Sequence, residues 1–164
     1  SIDFRALPEP SQNGAEEAQF MISLNPGEKR KPLGQVASGG ELSRIMLAIK
    51  TVLAEKDDIP TLVFDEIDAG SSGRTAGKVG EKLRRIGKSH QVICISHLPQ
   101  IVAMADVHYQ ICKESNEQSA RTVIRRLNKE ESVSELARLI GGVEITETTL
   151  KSAREMKELA ESTK

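Results

Sequence analysis

Apolar and polar positions divide this chain into segments of two periods. Leu42, Ile45, Met46, Ile49, Val52 and Leu53 recur at helical spacing and predict a helix over about residues 40–55. Two short continuous apolar runs have another character. Thr61-Leu62-Val63-Phe64, introduced by Pro60, and Gln91–Ser96 predict buried strands. Residues 2–7 and 18–24 predict two further strands, with Pro8, Pro10, Asn13 and Gly14 supplying the loop between them. Asn25-Pro26-Gly27 predicts a turn, and the charged stretch Glu28–Lys31 reads as solvated loop. A loop at Gly70–Gly73 leads into a basic helix over 74–87. A short helix at 98–105, strands near 107–113 and 121–127, and helices near 131–140 and 146–161 complete the expected elements. Buried strands alternating with helices predict an α/β fold with a mainly parallel sheet flanked by helices. No internal repeat or low-complexity tract interrupts this order.

Composition narrows the picture. At 164 residues the chain reads as a single domain, 1–164, long enough to bury a sizeable core. Its formal charge of −1 provides no global field for nucleic acid or an anionic membrane. Phe4, Phe20, Phe64 and Tyr109 are too few to form a stacking platform for single strands. Cys94 and Cys112 lack metal-ligand spacing and read as reduced, buried thiols. No apolar run approaches the ~18 residues of a membrane span, and no leader pattern is visible. The chain therefore reads as cytoplasmic. It opens with Ser1 directly into a strand-like segment and reads as a fragment of something longer.

Candidate chemistry lies at three places. Ser38-Gly39-Gly40-Glu41 puts two glycines in the first turn of the 40–55 helix, where each costs about 1 kcal/mol relative to alanine. Ser38 with Glu41 is a capping box, which accounts for those two residues and leaves the glycines unexplained. A phosphate held on bare backbone N–H groups would explain all four. The strand Thr61–Phe64 then delivers Asp65-Glu66, followed by Ile67-Asp68-Ala69-Gly70. Adjacent residues of a strand point to opposite sides, so one carboxylate can face a Mg²⁺ shell and the other an attacking water. The bland alternative is a helix cap or an exposed acidic turn. The second buried strand ends at Ser96-His97. In a parallel sheet its carboxyl end shares the crevice of Asp65-Glu66, where a histidine can donate to a phosphate oxygen or a reacting water. His90 and His108 have no comparable setting.

Other motifs fail. A P-loop requires G-x-x-x-x-G-K-[ST] between a strand and a helix. Gly34 and Gly39 have the glycine spacing, yet Gly40-Glu41 stands in place of Lys-Ser/Thr. Gly77-Lys78 is followed by Val79, and Gly87-Lys88-Ser89 has Lys82 in place of the first glycine. Asp65-Glu66-Ile67-Asp68 breaks calcium-loop spacing at Ile67. Arg74, Lys78, Lys82, Arg84, Arg85 and Lys88 read as a solvated helix face rather than a DNA contact.

Together these segments resemble the head of an ATP-binding-cassette ATPase. Ser38–Glu41 is similar to the signature motif, Thr61–Glu66 to the Walker B strand with its catalytic glutamate, Ile67–Gly70 to the D-loop and His97 to the switch histidine. The wording of Val36–Arg44, Phe64–Gly70, Ser96–Ile101 and the tail Glu135–Glu155 is closest to the RecN family of bacterial DNA repair proteins. These are relatives of the structural-maintenance-of-chromosomes (SMC) proteins and act in double-strand break repair. Ala37 departs from the leucine common before the signature serine. The resemblance implies a split head in which this chain is the C-terminal lobe and the P-loop lobe is absent. It implies ATP and Mg²⁺ as ligands, with Asp65 holding Mg²⁺ through water, Glu66 polarising the attacking water and His97 contacting the γ-phosphate. Ser38, Gly39, Gly40 and Glu41 would meet ATP held by a second head, and Asp68 would couple the two sites. The implied partners are the N-terminal P-loop lobe, a second head in a homodimer, and DNA. A chromosome-organising SMC-type head, or a lobe that only mediates dimerisation when isolated, are the alternatives.

Overall fold

The computed structural model describes residues 1–24, 26–35, 38–53, 58–116 and 119–162, with backbone alone at 115–116 and 119–120. Strands β1 (Ile2–Ser11) and β2 (Gly14–Ile22) form an antiparallel hairpin, and β3 (Lys31–Pro32) adds to the far side of β2 at Met21 and Ile22. The hairpin is longer than its sequence predicts. Pro8 and Pro10 lie within β1, an edge strand, where a missing N–H is tolerated, and the register shifts between Ala6 and Ser11. Lys31, expected in solvated loop, pairs with Ile22 instead. Of the predicted turn at 25–27, Asn25 lies outside the described residues.

Helix α1 (Gly39–Leu53) precedes β4 (Thr61–Phe64), helix α2 (Gly73–Ile86) and β5 (Gln91–Cys94). β4 and β5 pair in parallel, Thr61 to Gln91 through Phe64 to Cys94. This is the parallel sheet expected from the apolar runs, and it contains two strands. The other described strands pair antiparallel because short connections close each hairpin. The four-residue helix α3 (Pro99–Val102) follows β5. β6 (Tyr109–Asn116) and β7 (Ser119–Arg126) make a second hairpin, and helices α4 (Lys129–Gly141) and α5 (Glu147–Ser162) pack on each other.

One core lies around the parallel pair. Leu62 and Phe64 of β4 meet Ala76, Val79, Leu83 and Ile86 of α2, with Leu47 of α1, Ile67 and Ile101. Ala76, Val79, Leu83 and Ile86 recur at helical spacing, so α2 buries a full stripe and leaves Arg74, Lys78, Lys82 and Arg85 in solvent. Ser72 caps its start by accepting from the Thr75 amide. A second core joins Val102 and Ala103 to Leu136, Ala137, Ala153 and Ala160.

Two surfaces differ from expectation. The runs at β4 and β5 are covered on one face only: Val63 is 65% exposed and its register partner Ile93 is 48% exposed. The predicted apolar stripe of α1 is also largely bare, with Leu42, Met46, Val52 and Leu53 exposed and Leu47 buried instead. The helix turns its Gly40–Ser43–Arg44–Leu47 side toward the end of β4, which carries the predicted stripe away from this core. Cys94 and Cys112 are free thiols, half-buried rather than buried.

Candidate functional site

The carboxyl ends of β4 and β5 meet the first turn of α1. Ser38 accepts from the Glu41 amide through Oγ at 3.2 Å and from the Leu42 amide through its carbonyl oxygen at 3.1 Å. The capping role expected of Ser38 is therefore present. The Gly39 and Gly40 amides, the first two of the helix, have no partner among the described residues. That is the arrangement in which a helix N-terminus receives an anion. Val36 and Ala37, including the position of the alanine departure, lie outside the described residues.

Gly40 has a second reason to be glycine, which its sequence context could not reveal. A Cβ there would lie 2.9 Å from Ala69 Cβ, Ala69 O and Glu66 O. The turn is pressed against the acidic loop, and only a residue without a side chain fits. A Cβ on Gly39 would stand 3.1 Å from Glu66 Oε2, so the Glu66 carboxylate lies over the turn. Two neighbouring side chains fasten the contact. Ser43 Oγ donates to Asp65 O at 3.0 Å. Arg44 Nη1 donates to Ile67 O at 3.1 Å, Ala69 O at 2.8 Å and Ser71 Oγ at 3.1 Å. Neither residue was singled out from the sequence. The available signal was position: they sit three and four residues after Gly40, on the same helix face.

Asp65 and Glu66 are both exposed at the end of β4. Asp65 Oδ1 accepts from the Glu66 amide at 2.9 Å, and Glu66 O accepts from the Ala69 amide at 3.0 Å. Glu66 has φ of 53°, the only positive value for a non-glycine among the described residues. The left-handed conformation costs a residue with a Cβ about 1–2 kcal/mol. Such strain concentrates where a side chain is held for function.

Asp68 is only 4% exposed and faces inward. Its Oδ2 accepts from Ser96 Oγ at 2.6 Å and from the His97 amide at 2.9 Å, and lies 3.1 Å from His97 Nδ1. Burial by itself raises the pKa of this carboxyl. The hydrogen bonds from Ser96 and His97, with the His97 ring alongside, outweigh it and hold the group below its ordinary value. His97 itself is exposed, with 74% of its side chain accessible. Cys94, below the two aspartates, is pushed up to about 11 by burial and by the charges of Asp68 and Asp65, which makes it an inert thiol.

The structure thus gathers Ser38, Gly39, Gly40, Asp65 and Glu66 at the α1 turn, and Asp68 and His97 at the neighbouring strand end. No group of three His, Cys, Asp or Glu side chains among the described residues could hold a metal ion. No described helix is long and apolar enough to cross a membrane.

The glycine turn, acid-ended strand and histidine-ended neighbour stand in this order on a mixed α/β lobe, and relatives of known name place the chain among DNA repair proteins. A chain solved in work on ATP-driven dimerization and DNA stimulated activation of SMC ATPases is similar, at 22% identity and a TM-score of 0.48 over 87% of this chain and 84% of that one. No family model matches. The DNA repair protein RecN of Halalkalibacterium halodurans is 50% identical over 93% of this chain, and that of Bacillus subtilis is 44% identical over 94%. The chain belongs to the RecN family. It spans 27% of the length of each of these two relatives, about a quarter.

Proposed function

We propose that residues 1–164 form one lobe of a split ATPase head that works in DNA double-strand break repair, and that it contributes to two nucleotide sites at once. The observation that carries this reading is the packing of the Gly39-Gly40 turn on the Asp65-Glu66 loop, with Glu66 in a left-handed backbone conformation. Phosphoryl transfer requires a positioned water and neutralised phosphate charge. Glu66, exposed and fixed at the backbone, polarises the water. Its neighbour Asp65 has a carboxylate suited to holding Mg²⁺ through water. A single carboxylate fits that ion, which takes its remaining ligands from water and phosphates. His97 reaches the γ-phosphate from the adjacent strand. Ser38, Gly39, Gly40 and Glu41 present a helix N-terminus to ATP held by a second head, so the active assembly is a dimer closed around ATP.

The P-loop comes from a separate N-terminal lobe, since the sequence described here contains none. The bare sheet faces support this. Parallel strands are normally covered on both faces, and Val63, Ile93 and Ile95 are exposed on one. The β1–β2 hairpin likewise exposes Ile2, Phe4 and Phe20. A second lobe packed there completes the core. By itself this chain has no P-loop to hold ATP and is inactive. DNA acts through the whole protein.

The test joins the chain to its P-loop lobe. Glu66→Gln is expected to abolish ATP turnover and to trap an ATP-bound dimer, read by size-exclusion chromatography with light scattering. Unchanged turnover in Glu66→Gln sinks the assignment, as does tight Mg-ATP binding by the 164-residue chain alone in calorimetry.

A further inference from the structure

We infer that Asp68 is the positioning residue of His97: it holds Nδ1 as the protonated nitrogen, which leaves Nε2 as the nitrogen that meets the reacting groups. The inference rests on the proposed role of His97 at the γ-phosphate, but its first test does not depend on that role.

Three features carry it. Asp68 is buried beneath an exposed histidine, and Oδ2 is the atom that faces the ring, 3.1 Å from Nδ1. The carboxylate is itself fixed by two other donors, Ser96 Oγ and the His97 amide, so it cannot swing away from the ring without breaking both. Ser96 is anchored in turn by the Leu98 amide, which donates to its Oγ at 3.1 Å. An ionised carboxylate accepts only and would repel a bare nitrogen lone pair 3.1 Å away, so charge alone, without a straight hydrogen bond, places the proton on the imidazole nitrogen nearest it. The other ring nitrogen then points away from Asp68 and into solvent. With the ring neutral, Nε2 is an acceptor for a water. With the ring protonated, Nε2–H is a donor to a phosphate oxygen. In both states the same nitrogen works and Nδ1 stays committed to Asp68. A histidine tautomer set by the group that faces its other nitrogen is a general device, and here that group is a carboxylate paired with the ring by charge at 3.1 Å. Here the exposed ring would otherwise be free to rotate about its side-chain bonds.

The experiment is a two-bond proton–nitrogen correlation spectrum of the protein labelled with ¹⁵N-histidine, recorded where the rings are neutral. The three histidines are assigned with His97→Gln. The expected wild-type pattern has Nδ1 of His97 protonated and Nε2 bare. Asp68→Asn is expected to replace this with a mixture of tautomers, whereas Ser96→Ala, which removes a donor to the carboxylate but not the ring contact, keeps the Nδ1–H form. A wild-type spectrum with the proton on Nε2 overturns the inference without any variant, so a folding failure of Asp68→Asn cannot shield it. An unchanged tautomer in folded Asp68→Asn also overturns it. In the complete head, Asp68→Asn is expected to lower kcat at least tenfold with KM for ATP little changed, and His97→Ala added to it is expected to cost little more. If the tautomer shifts as expected and kcat does not move, the positioning holds and the catalytic role of His97 is what fails.

Discussion

Gly40→Ala separates the two reasons for a glycine at the start of α1. Helix propensity alone favours alanine by up to about 1 kcal/mol. The structure opposes it. The new Cβ would stand 2.9 Å from Ala69 Cβ, Ala69 O and Glu66 O, and two of those three atoms belong to the backbone. Ordinary carbon contacts lie at about 3.5–4.0 Å, so the turn and the loop must part by more than half an ångström. Overpacking of this kind costs about 1–3 kcal/mol. Set against a propensity gain of about 1 kcal/mol, the net expected loss is about 0–2 kcal/mol. With a urea m-value of about 2 kcal/mol/M, that lowers the unfolding midpoint by up to about 1 M. Gly77→Ala is the control. It lies inside α2 with nothing within 4 Å of its Cβ position, and is expected to raise the midpoint by up to about 0.5 M. Urea titration followed by circular dichroism reads both. If Gly40→Ala raises the midpoint as Gly77→Ala does, the close approach of turn and loop is refuted, and Gly40 is there for a ligand alone.

Glu66→Gly is expected to stabilise the fold by about 1 kcal/mol, because glycine adopts the left-handed backbone of φ 53° without strain, while Glu66→Gln leaves stability unchanged. Equal midpoints for the two variants would remove strain from the account. Burial of His108 lowers its pKa below 6.5, with Glu135 raising it in part and Lys157 lowering it further, so the unfolded chain takes up the proton first. Stability is then full above pH 6.5 and falls as the pH drops toward the folded value. His108→Gln is expected to flatten that slope in pH-dependent urea titrations, and an unaltered slope would assign it to other groups.

Much of the site is legible in the sequence because its strands are short apolar runs that end in charged residues. β4 and β5 begin where Thr61 and Gln91 predict, and Asp65, Glu66 and His97 follow from them. The amphipathic period of α2 is as plain. The start of α4 is not read from apolar periodicity: the capping box of Asn128 and Glu131 starts the helix at Lys129, two residues before the predicted 131. Pro8 and Pro10 read as breakers because the sequence cannot show that β1 is an edge. The inward turn of Asp68 depends on Ser96 and His97, nearly thirty residues later, and the crowding at Gly40 depends on Ala69. Contacts of that span leave no local pattern. The same limit hid Arg44, whose three acceptors all belong to the loop after β4.

The one-sided parallel sheet also bears on how oligomers of this chain are interpreted. Val63, Ile93 and Ile95 form an exposed apolar strip beside a strand edge that is unpaired among the described residues, the kind of surface that recruits a second copy of itself. On the proposed split-head reading, a dimer formed by the chain alone is expected to be held by the face that the P-loop lobe would cover. Such a dimer is expected to persist without nucleotide, to sharpen with salt rather than dissolve in it, and to disappear when the P-loop lobe is supplied. Dimerisation through the Gly39-Gly40 turn is expected to have the opposite dependence on nucleotide and on salt.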